Sequence, residues 1–259
     1  MNEFLDSSIV ENVQRLALGL EPIDAQRRTR IAHPIEITFD EVPLGLPRPP
    51  VERHPSCLHA LRFQPGVKTT VNLRLFDSAR RFVPRRLSIP ILTQTQADAA
   101  PYTDRVRRPF LFPGAAYDVS ETATGLRGRA VRGGVTMRWA RVEATLPGSG
   151  VLVGRAHGDD RGEFLLLISS AAISVGDLVN PLSINVTVFA PVAVPAPATP
   201  ELPSLDPLWD LPLETASSPG AADPVTAGEQ QPNDYTVTIT RTVDFILGRL
   251  RSREPDFVI

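Results

Sequence analysis

From about residue 30 onward apolar residues recur at every second position, and this period commits most of the chain to strands buried on one face. Ile35, Ile37 and Phe39 alternate with Glu36 and Thr38, and Val71, Leu73 and Leu75 alternate with Asn72 and Arg74. Asp77, Ser78 and Ala79 read as a turn, because short polar side chains bond to the backbone nearby. Phe82, Val83, Leu87, Ile89 and Ile91 then return as the second arm of a hairpin or meander. The stretch Pro43 to Pro50 is a loop, since proline donates nothing to a ladder. With 42% apolar residues over 259, the chain can bury two cores of ordinary size.

A second β unit runs from Tyr117 to Ala190. Leu126 to Val131, Val135 to Leu146, Val151 to Ala156, Glu163 to Ile168 and Ile184 to Phe189 are predicted strands. Gly133-Gly134, Pro147-Gly148 and Gly158 to Gly162 punctuate them, and such spacing describes a sandwich. Between Val135 and Leu146 the apolar parity switches, from Val135, Met137 and Trp139 to Ala140, Val142 and Ala144. That switch predicts a β-bulge near Trp139.

Two segments break the pattern. Leu5, Ile9, Val13, Leu16 and Leu20 have helical spacing and predict a short amphipathic helix ending around Gly19. Residues 191–232 hold ten of the 26 prolines and no lysine or arginine, with neither period, and read as a linker or extended arm. Within it Leu205, Leu208, Trp209 and Leu211 are more apolar than a solvated linker needs, so they either fold back or anchor another chain. Beyond it Tyr235, Val237 and Ile239 alternate with threonines as a strand that completes a sheet here or augments a neighbour's, and Val243 to Leu250 reads as helical. The expected architecture is therefore mainly β, with two β-sandwich (immunoglobulin- or transthyretin-like) domains over 26–115 and 116–190. A helix within 1–25, the arm over 191–232, and a strand with a short helix over 233–259 complete it.

Net charge is only −2, which supplies no global attraction to nucleic acid or acidic membranes. Lys68 is the sole lysine among 27 basic residues, and the arginines cluster as Arg27, Arg28 and Arg30, as Arg80, Arg81, Arg85 and Arg86, and as Arg105, Arg107 and Arg108. These clusters are either solvated strand edges and turns or a docking surface for an acidic neighbour, which arginine's planar fork would grip bidentately. One cysteine, Cys57, makes an internal disulfide impossible and favours a reducing compartment. Met1 to Val10 carries Glu3 and Asp6 where a signal peptide would be basic and then apolar, and no run is long enough to span a bilayer, so a cytoplasmic address is expected.

Catalytic patterns are thin. His33 and Glu36 have the H-x-x-E spacing of zinc peptidases, with His157 as a distant third ligand, but alternation through Ile35 and Ile37 makes this a strand. His54, Cys57 and His59 cluster without a fourth ligand, and Cys57 and His59 would share one face of a strand, as a buried structural cysteine with polar neighbours. Asp159, Asp160 and Glu163 lack the spacing of an EF-hand. Ser169 and Ser170 follow His157 without a nucleophile elbow, and Gly125, Gly128, Gly133 and Gly134 match no phosphate-binding loop. No catalytic residue, metal or cofactor is expected.

Gly125 to Val131, Trp139 to Val142 and Gly154 to Phe164 together resemble the carboxypeptidase regulatory-like domain. The resemblance covers residues 117–190 and implies a transthyretin-like sandwich in an accessory module. Asp160, Gly162 and Phe164 match its turn, while Asp159 replaces the usual threonine. Asp160 is expected to cap backbone N–H groups there, Gly162 to take a positive φ, and Phe164 to begin the strand returning to the core. Val71 to Asp77 and Arg80 to Leu87 look like proteins encoded with phage-tail-like contractile injection systems, which implies a structural particle component.

The expected function is a non-catalytic structural subunit of a large bacterial assembly, a cap or accessory component of such a particle. Its partners would be further copies of itself or tube- and sheath-end proteins, contacted through Leu205, Leu208, Trp209, Leu211, Tyr235, Val237 and Ile239. The alternatives are a carbohydrate- or surface-binding module using Tyr102, Tyr117 and Trp209, and a zinc peptidase-like enzyme using His33, Glu36 and His157.

Overall fold

The computed structural model describes residues 15–40, 49–64, 67–169, 180–217 and 222–259, and the chain is mainly β. The first half supplies β1 (Leu16–Leu20), β2 (Ile23–Asp24), β3 (Glu36–Phe39), β4 (Val51–Arg53), β5 (His59–Arg62), β6 (Thr70–Phe76), β7 (Arg85–Pro90), β8 (Val106–Arg107) and β9 (Phe110–Leu111). β10 (Gly125–Arg132), β11 (Val135–Thr136), β12 (Arg141–Thr145), β13 (Leu152–His157), β14 (Glu163–Leu167) and β15 (Leu182–Ala190) follow. The tail adds β16 (Leu213–Thr215), β17 (Val237–Phe245), β18 (Leu250–Arg251) and β19 (Phe257–Val258). No helix among the described residues is long and apolar enough to cross a membrane.

Alternation in the sequence becomes facing in the sheet. β6 and β7 form the expected hairpin, with Leu73 opposite Leu87 and Val71 opposite Ile89. Leu73, Leu75, Leu87 and Ile89 are fully buried, each contributing roughly 1.5–3 kcal/mol by the water it sheds. The sheet order is β16-β7-β6-β3, and a second sheet, β4-β5-β1-β8, lends Leu18, Leu20 and Leu61 to the same core. In the second half β13-β12-β15-β17 forms one sheet, and β11-β10-β14, with β18 and β19 beside β10, forms another. Val142, Val186 and Val243 from the first of these meet Leu126, Phe164 and Leu166 from the second in one core.

β14 joins the two cores. Phe164, Leu166 and Ile168 point into one, while Leu165 and Leu167 point into the other. This explains why its sequence is an unbroken apolar run, as strands covered on both faces require. Gly128 permits the packing of β10 on β14, since a Cβ there would lie 2.4 Å from the Phe164 ring.

Four local expectations are corrected. Leu16 and Leu20 belong to strand β1, not to a helix; β5 and β8 pair with its edges, and Ala17 to Leu20 are buried at both parities, so there is no polar face for periodicity to reveal. Leu5, Ile9 and Val13 lie outside the described residues, as does most of Pro43 to Pro50. The parity switch at Trp139 is a change of sheet rather than a bulge, because β11 pairs with β10 whereas β12 pairs with β13 and β15. Val243 to Phe245 continue β17 and Leu250–Arg251 is β18, with Ile246 to Arg249 as the turn between them, so the predicted helix is a strand end, a turn and a short strand. Cys57 sits at φ 60° in the turn between β4 and β5, not on a strand.

Candidate functional site

The change of sheet at Trp139 leaves a bulky residue at φ 61°, a region that L side chains occupy only when their surroundings hold them there. The surroundings are the proline-rich arm. Asp210 accepts the indole N–H of Trp139 at 2.8 Å, and Leu211 and Val83 bury its ring. The Trp139 carbonyl accepts from Arg141 Nη1 at 2.8 Å and from the Tyr235 hydroxyl at 3.1 Å. Arg138 lies over the ring and pairs with Asp210 at 2.9 Å.

One turn further, β16 runs parallel to β7 and inserts Glu214 between two buried arginines. Arg85 grips it bidentately, Nε to Oε1 at 3.0 Å and Nη2 to Oε2 at 2.7 Å. The remaining Arg85 donors reach the carbonyls of Phe110, Thr226 and Val225, so all five N–H groups of this guanidinium are satisfied. Arg141 Nη2 reaches the same Oε1 at 3.1 Å. Burial pushes the Glu214 carboxyl up, but the two guanidiniums outweigh it and hold it below its ordinary value. His157, stacked on Phe112 at 3.8 Å, is held neutral first by burial and then by the positive charges of Arg141, Arg85 and Arg155. The arm is thus a latch, joining β7 of one core to β12 of the other through a single carboxylate.

The arginine clusters divide: Arg27, Arg28, Arg30, Arg80 and Arg108 are exposed in turns and loops, as solvated residues, and the others are half-buried or buried. Arg85 and Arg107 are buried, while Arg80 pairs with Asp160, Arg81 with Asp77, and Arg30 and Arg108 with Glu21. Asp206 of the arm takes Arg74 at 2.6 Å. Most of these partners are acids of the body itself; the arm, whose charged residues are all acids, takes Arg74, Arg85, Arg138 and Arg141. That asymmetry between a cation-free arm and an arginine-rich body is the sequence signal for the latch.

The predicted contact residues divide. Leu211 and Tyr235 are buried within the chain, and Leu208 and Trp209 are half-buried beside it, so this part of the arm folds back. Leu205 is 80% exposed, and Val237 and Ile239 are half-buried on β17. β17 pairs along all nine residues with β15, and no described strand lies on its other side. Its outward face is a polar ladder in which Thr187 bonds Thr240 at 2.8 Å and Thr242 bonds Asn185 at 2.7 Å.

The metal and glycan candidates do not assemble. Among the described residues no three His, Cys, Asp or Glu side chains come together as a metal-holding group, so His33, Glu36 and His157 form none, nor do His54, Cys57 and His59. Cys57 is buried, donating to the Ala32 carbonyl, and His59 bonds the Ile35 carbonyl. Of the three aromatics a glycan site would use, Tyr117 is buried with its hydroxyl on Asp24, and only Tyr102 is widely exposed. Asp159, not Asp160, caps the turn, accepting from the N–H groups of Arg161 and Glu163, while Gly162 takes φ 72° and buried Phe164 enters the core as expected. Ser170 lies outside the described residues. A cavity of about 310 Å³ opens beside Trp139, lined by Phe82, Pro84, Pro207 and Leu208 with Asp160 and Asp206, whose carboxylates already hold Arg80 and Arg74. No family model, no curated protein and no solved structure matches the chain.

Proposed function

We propose that this chain is a non-catalytic building unit of a larger protein assembly, locked internally by its own arm and joined to neighbours through the outer edge of β17. The observation that carries the proposal is that edge: nine residues of regular strand with main-chain groups available on the side away from β15. An unpaired edge is a template for another strand, and proteins that do not use one normally blunt it with bulges, prolines or inward charges. β17 has no proline and pairs without a register break, and its one charge on the inward face, Arg241, is held within the chain by Glu254 and the Pro255 carbonyl.

In this reading the two cores belong to two β-sandwich units sharing β14, rigid because Glu214 ties them together. The arm contributes stiffness, and Leu205 is the part of it left for a neighbour. The resemblance of residues 117–190 to carboxypeptidase regulatory-like domains fits an accessory module, and that of Val71 to Leu87 directs the proposal to a cap or accessory component of a contractile injection particle. Cryo-electron microscopy of particles purified from the producing cell tests it. Density for the chain with β17 against a neighbouring strand is expected, and absence of the polypeptide from every assembly overturns the proposal.

A further inference from the structure

We propose that the strand placed against β17 is the β17 of a second copy, running antiparallel about a twofold axis at Thr240. This rests on the reading of β17 as the joining edge and adds the identity and register of its occupant. Residues of an antiparallel strand turn their main-chain groups alternately to one neighbour and the other. The Asp244 carbonyl is on the open side, where Arg251 Nη1 donates to it at 3.1 Å. Thr238, Thr240 and Thr242 share its phase, so they direct their N–H and C=O groups outward, while Arg251 closes the edge beyond them.

Continuation of the sheet with its faces preserved requires residues of equal parity to stand opposite one another. An axis at Arg241 would set two guanidiniums side by side and use the Asp244 carbonyl that Arg251 already occupies. An axis at Thr240 avoids both. It sets Thr240 opposite the partner's Thr240 and Thr238 opposite the partner's Thr242, exchanging about six main-chain hydrogen bonds. The Thr187–Thr240 hydroxyl pair then runs on across the axis as an unbroken threonine ladder, a favourable cross-strand pairing. On the other face, half-buried Val237 meets the partner's Val243, covering apolar surface that one copy leaves partly wet.

Analytical ultracentrifugation of the full chain tests this, with Thr240→Pro, which removes an outward N–H, and Thr240→Cys as variants. We expect a concentration-dependent wild-type dimer, at least about tenfold weaker association for Thr240→Pro, and a disulfide-linked dimer from Thr240→Cys on mild oxidation. Cα atoms of a hydrogen-bonded antiparallel pair stand about 5.5 Å apart, inside the Cα range of a disulfide that forms with a small shift of the Cβ atoms, whereas Thr238→Cys faces the partner's Thr242 and should not cross-link to itself. Cys57 stays in place, since it is buried. A wild-type chain that remains monomeric at all concentrations, or equal cross-linking of Thr238→Cys and Thr240→Cys with unchanged circular dichroism, overturns the proposal. Either result leaves β17 as an edge for a different protein, which the particle density decides separately.

Discussion

The two strands that follow the proline-rich segment solve opposite problems. β16 is three residues long and lies at a sheet edge, yet its central side chain, Glu214, is among the most buried charges in the molecule. β17 is nine residues long, carries threonines on its exposed face, and has no described strand on the side away from β15. The first shows that a short strand of weak propensity is held by what its side chain reaches. The second shows that a strand of strong propensity can form against one partner and retain bonding capacity for another. In the proposed function the first serves internal stability and the second association.

The comparison breaks most severely at Glu214. Glu214→Gln leaves two buried guanidiniums without a counter-charge, and a loss of about 3–5 kcal/mol is expected in urea unfolding. A loss below about 1 kcal/mol would mean that the latch carries no such load. In proteolysis of the intact protein, the exposed run Val192 to Thr199 should be cut before Leu211 to Ala216; Glu214→Gln should abolish that order.

His157 gives a smaller, pH-dependent effect. Its proton affinity is lowered on folding, so below the unfolded value near 6.5 the unfolded chain binds a proton that the folded chain refuses. Stability should therefore fall as pH drops through that value. His59 and His33 shift in the same direction, so the expected signature is a flatter pH profile for His157→Gln than for the wild type. Glu214, whose folded value is depressed, adds stability that is present above its unfolded value near 4.5 and lost in more acidic solution as pH falls through the folded one. Glu21, Asp77 and Asp256 are depressed as well, so the Glu214→Gln variant should show a shallower acid limb than the wild type.

The smallest effect sharpens the other side. A double-mutant cycle of Thr187→Val and Thr240→Val should give a coupling of about 0.2–1 kcal/mol within the chain, measured by denaturation at a concentration too low for association. Larger coupling at high concentration would report the intermolecular ladder.

Much of this was legible in the residues. The hairpin β6–β7, β15 and β17 follow from alternation, because a half-buried strand must place alternate side chains in water, and β14 follows from a short apolar run bounded by turn residues. The mistakes fall where that rule has no purchase. β1 is buried at both parities, so its apolar run has no polar face and resembles a helix face. The parity switch at Trp139 records a real discontinuity, but alternation carries no information about which sheet a strand joins. The latch was visible only as a charge imbalance between arm and body.

Local composition by itself determined that this chain is built of strands, where most of them lie, and that its arm is acidic and its body rich in arginine. Those properties follow from neighbours in the chain and from the need to shield apolar side chains from water. Tertiary structure alone decided that Glu214 closes on Arg85 and Arg141, residues 129 and 73 positions away. It also decided that β17 stands at the edge of its sheet among the described residues. Both depend on which segments meet in space, and a carboxylate becomes the tie between two cores only when folding has removed the water that would otherwise solvate it.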